Sequence, residues 1–221
     1  MILITTLGFD EKFALRAILR RGLKAGDRII VVVPEKDDPR AEKAFSTLQQ
    51  IVCRSIPEIS IERIRIPSQD FSKAVSFLRK LALDVLRSGE KIVLNVSGGQ
   101  RIIILELLAA FLSVGAYEAE LEVESEDSST IAVLPLRIMA KIGLDREDTM
   151  ILEALAQSSK KFSDLCLILS MSRSSVWRRL KKLVKLGLVK KVEKKYKLTE
   201  LGYSRIDHGS PPSNNTENKP P

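Results

Sequence analysis

Apolar and polar positions in the first 135 residues follow two alternating periods. Short β-branched runs, "ILITT", "RIIVVV", "ISIERIRI" and "KIVLNV", are separated by stretches whose apolar residues recur at helical spacing. Ala14, Leu15, Ile18 and Leu19 mark one helix face, Ala44, Leu48, Ile51 and Val52 a second, and Ala74, Phe77, Leu78, Leu81 and Val85 a third. Strands that alternate with helices imply βαβ units and an α/β fold with a mostly parallel sheet covered on both faces. "RIIVVV" and "KIVLNV" are nearly continuous in apolar residues, as such a covered sheet demands. A further helix is expected over residues 100–114. The pattern then becomes "YEAELEVE" and "TIAVLPL" around "SEDSS", which predicts a hairpin added to the sheet edge. Glu118, Glu120, Glu122 and Glu124 fall on one face of its first strand. Four carboxylates there could hold a metal, but a solvated strand face is the favoured reading.

A boundary is expected within residues 136–145, closing a first domain at 1–136, because helices replace strands beyond it. "DREDTMILEALAQ" predicts a helix capped by an Asp that buries Ile151, Leu152 and Leu155. "FSDLCLILS" is a short second helix, and "SMSRSSVWRRLKKLVKLG" a third that stops at Gly187. "LVKKVEKKYKLT" reads as two β segments around a lysine-rich turn. Three helices and a basic hairpin make a winged helix-turn-helix over residues 145–207. The tail at 208–221, "HGSPPSNNTENKPP", has no apolar content to bury and is expected to be disordered.

Charge sharpens this division. The 221 residues are 44% hydrophobic and 29% charged, an ordinary globular composition, with a formal net charge of +8. Residues 1–144 carry 20 basic and 19 acidic side chains, residues 145–207 carry 15 and 8, and the tail one of each. Nearly all the excess therefore sits on the second segment, the footprint of a nucleic-acid module joined to a neutral one. In the third helix Val176, Leu180 and Leu183 face inward, and Ser174, Arg178, Lys181 and Lys185 fall opposite. Double-stranded DNA is the expected partner, with Ser172, Ser174 and Ser175 near phosphates or base edges and Arg178 as the candidate for a bidentate guanine contact. Lys190, Lys191, Lys194 and Lys195 cluster where a wing meets the backbone. The bland alternative is a solvated helix face. Trp177 lies about 100° from the buried stripe, placing it as half-buried packing or as a subunit or DNA contact. The segment "LSMSRSSVWRRLKKLVKLGLVKKVEKKYKLTELG" resembles the winged helix-turn-helix of the MarR and ArsR regulator families.

Cys53 and Cys166 lack metal-ligand spacing, and the single histidine, His208, lies in the tail, so no zinc site is expected. Both cysteines read as small buried hydrophobes in a reduced compartment. "MILITTLGFD" lacks the basic region and cleavage site of a signal peptide. The longest apolar stretch, residues 102–116, is interrupted by Glu106 and too short for a bilayer. A cytoplasmic protein without a membrane partner is the expectation.

The remaining chemistry lies in "TTLGFD" after the first strand and "NVSGGQR" after the fourth. In open α/β sheets ligands settle at the carboxyl ends of strands, where loops enter helices. Gly98 and Gly99 would let backbone N–H groups approach an anion, Ser97 can donate a proton, Arg101 adds a cation and Gln100 can read a base or ribose edge. The competing reading is a tight turn and nothing more. A dinucleotide-cofactor site fits poorly, because "TLGFDEKF" has one glycine where G-x-G-x-x-G needs three.

A Rossmann-like domain with these two loops, followed by a winged helix, resembles the CRISPR-associated Rossmann fold (CARF) family, in particular its archaeal CARF/winged-helix transcriptional regulators. The resemblance implies a homodimer that binds a cyclic oligoadenylate, often cyclic tetra-adenylate, across its two-fold axis as effector, with no other cofactor. Thr6, Leu7, Gly8 and Phe9 would line one side of the ligand, and Asn95, Ser97, Gly98, Gly99, Gln100 and Arg101 the other. Two alternatives stay open: some family members cleave the ring, though no histidine or general base lies nearby, and a DNA-binding protein could use its α/β domain for dimerisation alone.

Overall fold

The computed structural model describes residues 1–140 and 143–206, so the tail at 208–221 lies outside the described residues. It divides into two compact units, the first ending at Ala140.

In the first unit the order is β1 (Ile2–Thr6), α1 (Lys12–Arg21), β2 (Arg28–Pro34), α2 (Pro39–Ser55), β3 (Ser60–Ile66), α3 (Phe71–Arg87), β4 (Ile92–Asn95), α4 (Arg101–Ser113), β5 (Glu120–Glu124) and β6 (Ile131–Pro135). A 3-10 turn at Leu136–Met139 follows. The strands form one sheet in the order β3-β2-β1-β4-β5-β6, parallel except for β6. This is the Rossmann-like α/β sheet with an edge hairpin.

The alternation of side chains along each strand sorts the core into two layers. Ile2, Ile4, Ile30, Val32 and Leu94 pack with Ala74 and Leu78 of α3 and Ile103, Leu107 and Phe111 of α4. Leu3, Ile29, Val31 and Val93 face the other way, against Ala14 and Ile18 of α1 and Ala44, Leu48 and Val52 of α2. Helix starts follow local chemistry: Asp38 caps α2 ahead of Pro39, and Asp70 caps α3 by accepting from the Lys73 N–H.

Three helical positions expected to face inward do not. Leu19 is 67% exposed, Phe77 44% and Ile51 37%. A stripe drawn from spacing alone is wider than the strip a helix presses on a flat sheet. Cys53 is exposed and Cys166 half-buried, so neither is the buried hydrophobe expected. The glutamate ladder of β5 is a larger correction. Only Glu118, just before the strand, stands in solvent; Glu122 and Glu124 are buried. Arg20 binds Glu122 at 2.8 Å and Glu124 at 3.1 Å, and Arg21 binds Glu122 and Glu120 at 2.5 Å each. The face expected to be solvated lies under α1, neutralised by its arginines.

Glu106, on α4, is fully buried and neither carboxyl oxygen has a hydrogen-bond partner. Burial pushes its pKa up to about 7. Between pH 4.5 and 7 the unfolded chain has lost this proton and the folded chain keeps it, so stability falls as pH rises through that window. Glu106→Gln is expected to flatten that part of the pH–stability profile of the first unit, measured by urea unfolding at pH 5, 6, 7 and 8 (chosen to bracket the window). An unchanged slope would show that Glu106 gains water or a partner.

The second unit runs α5 (Arg146–Gln157), β7 (Lys160–Lys161), α6 (Phe162–Ile168), α7 (Arg173–Lys185), β8 (Val189–Val192), β9 (Lys195–Leu198) and α8 (Glu200–Tyr203). Asp145 caps α5 in a reciprocal box with Asp148, and Ile151, Leu152 and Leu155 are buried as expected. The three strands form a sheet in the order β7-β9-β8, so the wing gains a two-residue third strand that periodicity could not reveal. This is the winged helix-turn-helix. Among the described residues no helix is long and apolar enough to cross a membrane.

Candidate ligand cleft and nucleic-acid interface

β1 and β4 are neighbours at the centre of the sheet, and the chain winds away from them in opposite directions. Their following loops therefore diverge around a crevice, the usual ligand position in an open α/β sheet. A cleft of about 370 Å³ opens there, with Leu7, Gly8 and Phe9 from the first loop and Ser97, Gly98, Gly99 and Gln100 from the fourth. Phe13, Pro34 and Ala41 supply apolar wall, and Asp10, Asp38 and Glu126 supply carboxylates.

The glycines have a structural task beside any ligand. A Cβ on Gly8 would stand 3.2 Å from the Gly99 backbone, and one on Gly98 3.2 Å from the Thr6 carbonyl oxygen. The two loops thus touch backbone to backbone, and Thr6 Oγ1 donates to the Gly98 carbonyl across the join. Thr6 is itself buried, so it ties the loops together and does not line the cleft.

Asn95 is likewise fully buried. Its amide nitrogen donates to Ser97 Oγ at 3.0 Å and to Glu122 at 3.1 Å, and its oxygen accepts from Thr5 at 3.1 Å. It supports the cleft from behind. Arg101, the first residue of α4, is exposed and is not among the residues that line the cleft. Of the ten positions expected to hold the ligand, Leu7, Gly8, Phe9, Ser97, Gly98, Gly99 and Gln100 are brought together; Thr6, Asn95 and Arg101 are not.

Electrostatically the cleft has two sides. Ser97 and the start of α4 offer donors, whereas the Asp10 and Asp38 carboxyls are both held below the usual carboxylate range, Asp10 by the Lys12 backbone N–H and Asp38 by the Arg40 side chain. The Arg40 guanidinium also stacks 3.8 Å from the centre of the half-exposed Phe9 ring. An anionic group suits the Ser97 side, and an amino-bearing planar group the side with Phe9 and the carboxylates.

In the second unit, α7 buries Val176, Leu180 and Leu183, and Ser174, Arg178, Lys181 and Lys185 are exposed. Ser172 caps the helix, its Oγ accepting from the Ser175 N–H at 3.2 Å, so its first duty is structural. Trp177 is 56% exposed, with Lys181 Nζ 5.1 Å above its ring. Arg179 and Lys182 turn aside to Asp148, whose carboxyl is fully buried.

The wing register redistributes its lysines. Lys190 lies opposite Lys197, Val192 opposite Lys195, and Lys195 opposite Lys161 of β7. Directly paired residues share a face. Lys161, Lys190, Lys195 and Lys197 therefore share the solvent face. Lys191 pairs with Tyr196 on the face that buries Val189 and Leu198, its Nζ 6.0 Å from the Tyr196 ring. Lys194 sits in the turn between β8 and β9.

A family model described as the Csa3 CRISPR-associated Rossmann-like domain matches residues 1–135. The chain belongs to this Csa3 family. A model of the bacterial regulatory protein arsR family matches residues 149–191, so the Csa3 domain is followed by an ArsR-type helix-turn-helix. A protein of Saccharolobus solfataricus, described as "CRISPR locus-related putative DNA-binding protein Csa3", is 27% identical over 207 residues, covering 91% of this chain and 85% of that one. Among solved structures, protein VC1899 from Vibrio cholerae is 14% identical with a TM-score of 0.47; 89% of this chain matches, over 61% of the Vibrio chain's length.

In the second unit, three further cationic positions lie outside the set expected from spacing. Arg173, whose guanidinium lies 5.4 Å from the Phe162 ring, borders an open hollow of about 680 Å³ with Ser172, Ser174, Trp177 and Arg178. Lys197 is two residues from Lys195, and its shared face was readable from strand alternation; Lys161 was not, because β7 is too short to announce itself. Replacing Lys197 with alanine is expected to reduce the slope of log affinity against log salt by about one, as for a lysine contacting one phosphate. Lys191→Ala should leave the slope nearly unchanged. Equal slopes for the two variants in fluorescence-anisotropy titrations would overturn the register argument.

Proposed function

We propose that this chain is a dimeric, CRISPR-associated transcriptional regulator that binds a cyclic oligoadenylate in its Rossmann-like cleft and double-stranded DNA through its winged helix. The observation that carries the reading is the convergence of residues 7–9 and 97–100 in one two-sided cleft, within a chain whose other unit exposes a cationic reading helix. A ring of adenylates has phosphates for the Ser97 side and purines, each with an exocyclic amino group, for Phe9 and the carboxylates. The relative from Saccharolobus, described by its name as CRISPR locus-related and DNA-binding, supports the same assignment.

Dimerisation is supported by α4, which leaves Ile102 38% and Leu105 57% exposed on one side of a helix rich in apolar residues. A second copy against that face would also bring Arg101, on the same side, toward the shared ligand. Regulation then follows from population shift: a ring that prefers one arrangement of the two chains changes the spacing of their α7 helices. Isothermal titration with cyclic tetra-adenylate should show one ring per pair of chains, and footprints on neighbouring genomic DNA should differ with and without it. Absence of binding by every cyclic oligonucleotide would overturn the sensor assignment, and recovery of linear product would turn it into a ring-cleaving enzyme.

A further inference from the structure

The Ser97 hydroxyl is held from behind. Its oxygen accepts from Asn95 Nδ2 at 3.0 Å and from the Glu124 backbone N–H at 2.9 Å. Both lone pairs are thereby occupied, and the proton is what the group has left to offer. Asn95 is in turn fixed, because its oxygen accepts from Thr5 and its nitrogen also donates to Glu122 Oε1 at 3.1 Å. Glu122 cannot turn away: it is fully buried and bound by Arg20 at 2.8 Å and Arg21 at 2.5 Å.

The direction of the Asn95 amide follows from that carboxylate. An amide has one donor end and one acceptor end, and an oxygen facing Glu122 would place two acceptors together. The NH2 must face Glu122, and the same NH2 then reaches Ser97. A reversed amide would ask Ser97 to donate inward and would remove its proton from the cleft. The buried ion pairs of α1 and β5 therefore reach the ligand cleft through one amide.

We propose that Glu122 is a positioning residue of the cleft: through Asn95 it sets the Ser97 hydroxyl as a donor toward a phosphate oxygen of the bound nucleotide. This rests on the reading of the cleft as a nucleotide site. It predicts that Asn95 and Ser97 act on affinity as one unit, although they are separate contributors to packing.

A double-mutant cycle tests it. Asn95→Ala and Ser97→Ala should each weaken cyclic tetra-adenylate binding about tenfold, the size expected of a hydrogen bond to a charged group, and the double variant should be no weaker than either. Their effects on melting temperature should add, since loss of packing at the two sites is separate. Multiplying losses of affinity would overturn the proposal. Glu122→Gln should give a smaller loss in the same direction, and Asn95→Ala carries the test if that variant does not fold.

A ligand-free measurement separates this proposal from the sensor reading. The Glu124 amide is bonded to Ser97 Oγ, whereas the Val96 amide is bonded to the Glu122 carbonyl oxygen at 3.0 Å. In Asn95→Ala, hydrogen exchange at Glu124 should quicken by about tenfold, the worth of one hydrogen bond, while Val96 keeps its rate. Equal change at both amides would mean general loosening and would defeat the positioning role. Wild-type protein that binds no ring would defeat the sensor reading, with the exchange contrast still deciding whether Asn95 fixes Ser97.

Discussion

Gly99→Ala is expected to lower the stability of the first unit by on the order of 3 kcal/mol and to abolish binding of the cyclic oligoadenylate proposed as its ligand. Two costs combine. Gly99 has φ +88°, a conformation L side chains rarely adopt, which costs about 1–3 kcal/mol. The new methyl would also stand 3.0 Å from Thr6 Cβ, 3.2 Å from the Thr6 carbonyl carbon and 3.3 Å from the Leu7 nitrogen. Thr6 is paired with Val32 of β2, and Thr5 before it is paired with both neighbouring strands, so its backbone cannot move aside alone. The loops must separate, and the cleft between them opens. Circular dichroism should show the unfolding midpoint of the first unit about 10 °C lower. Trp177, the single tryptophan, reports on the second unit alone, and its fluorescence transition should stay where it was. An unshifted first transition would show that the loops do not touch as described.

The second large effect is expected at Asp148. Asp148→Ala removes the buried carboxylate that Arg179 binds at 2.9 Å and Lys182 also binds, together with half of the α5 capping box. Removing one partner of a buried ion pair costs about 3–5 kcal/mol because a charge is left uncompensated. The low end applies, since Arg179 keeps Asp145 at 2.6 Å and also Glu147. The loss should appear as an earlier urea midpoint in Trp177 fluorescence, with DNA affinity falling only as the folded fraction falls. Asp148→Asn, which keeps an acceptor without the charge, should lie between. If Asp148→Ala strengthened DNA binding while leaving the midpoint unmoved, Arg179 and Lys182 would be DNA contacts and not struts.

What was legible in the sequence was whatever depends on near neighbours. The β-branched runs gave β1 to β4 within a residue or two, and the switch from alternation to helical spacing placed the second unit. "TTLGFD" and "NVSGGQR" could be matched because topology brings the ends of β1 and β4 together in any sheet wound this way. Pairings distant along the chain were hidden. Glu122 looked solvated because its partners, Arg20 and Arg21, lie about 100 residues earlier and nothing local marks them as a lid. Asn95 looked like a ligand contact for the same reason: a strand-end amide beside a glycine turn does not disclose that its other edge meets Glu122. In the wing, register adds what spacing alone does not show. Proximity groups Lys191 with its neighbours, whereas alternation places it on the face with Tyr196.

The paired lysines across the wing have one more consequence. Lys190 against Lys197 and Lys161 against Lys195 place equal charges side by side on adjoining strands, an arrangement that works against the sheet's own cohesion. A polyanion laid along that face would offset the repulsion between the paired lysines, so docking would add to the sheet's cohesion instead of straining it.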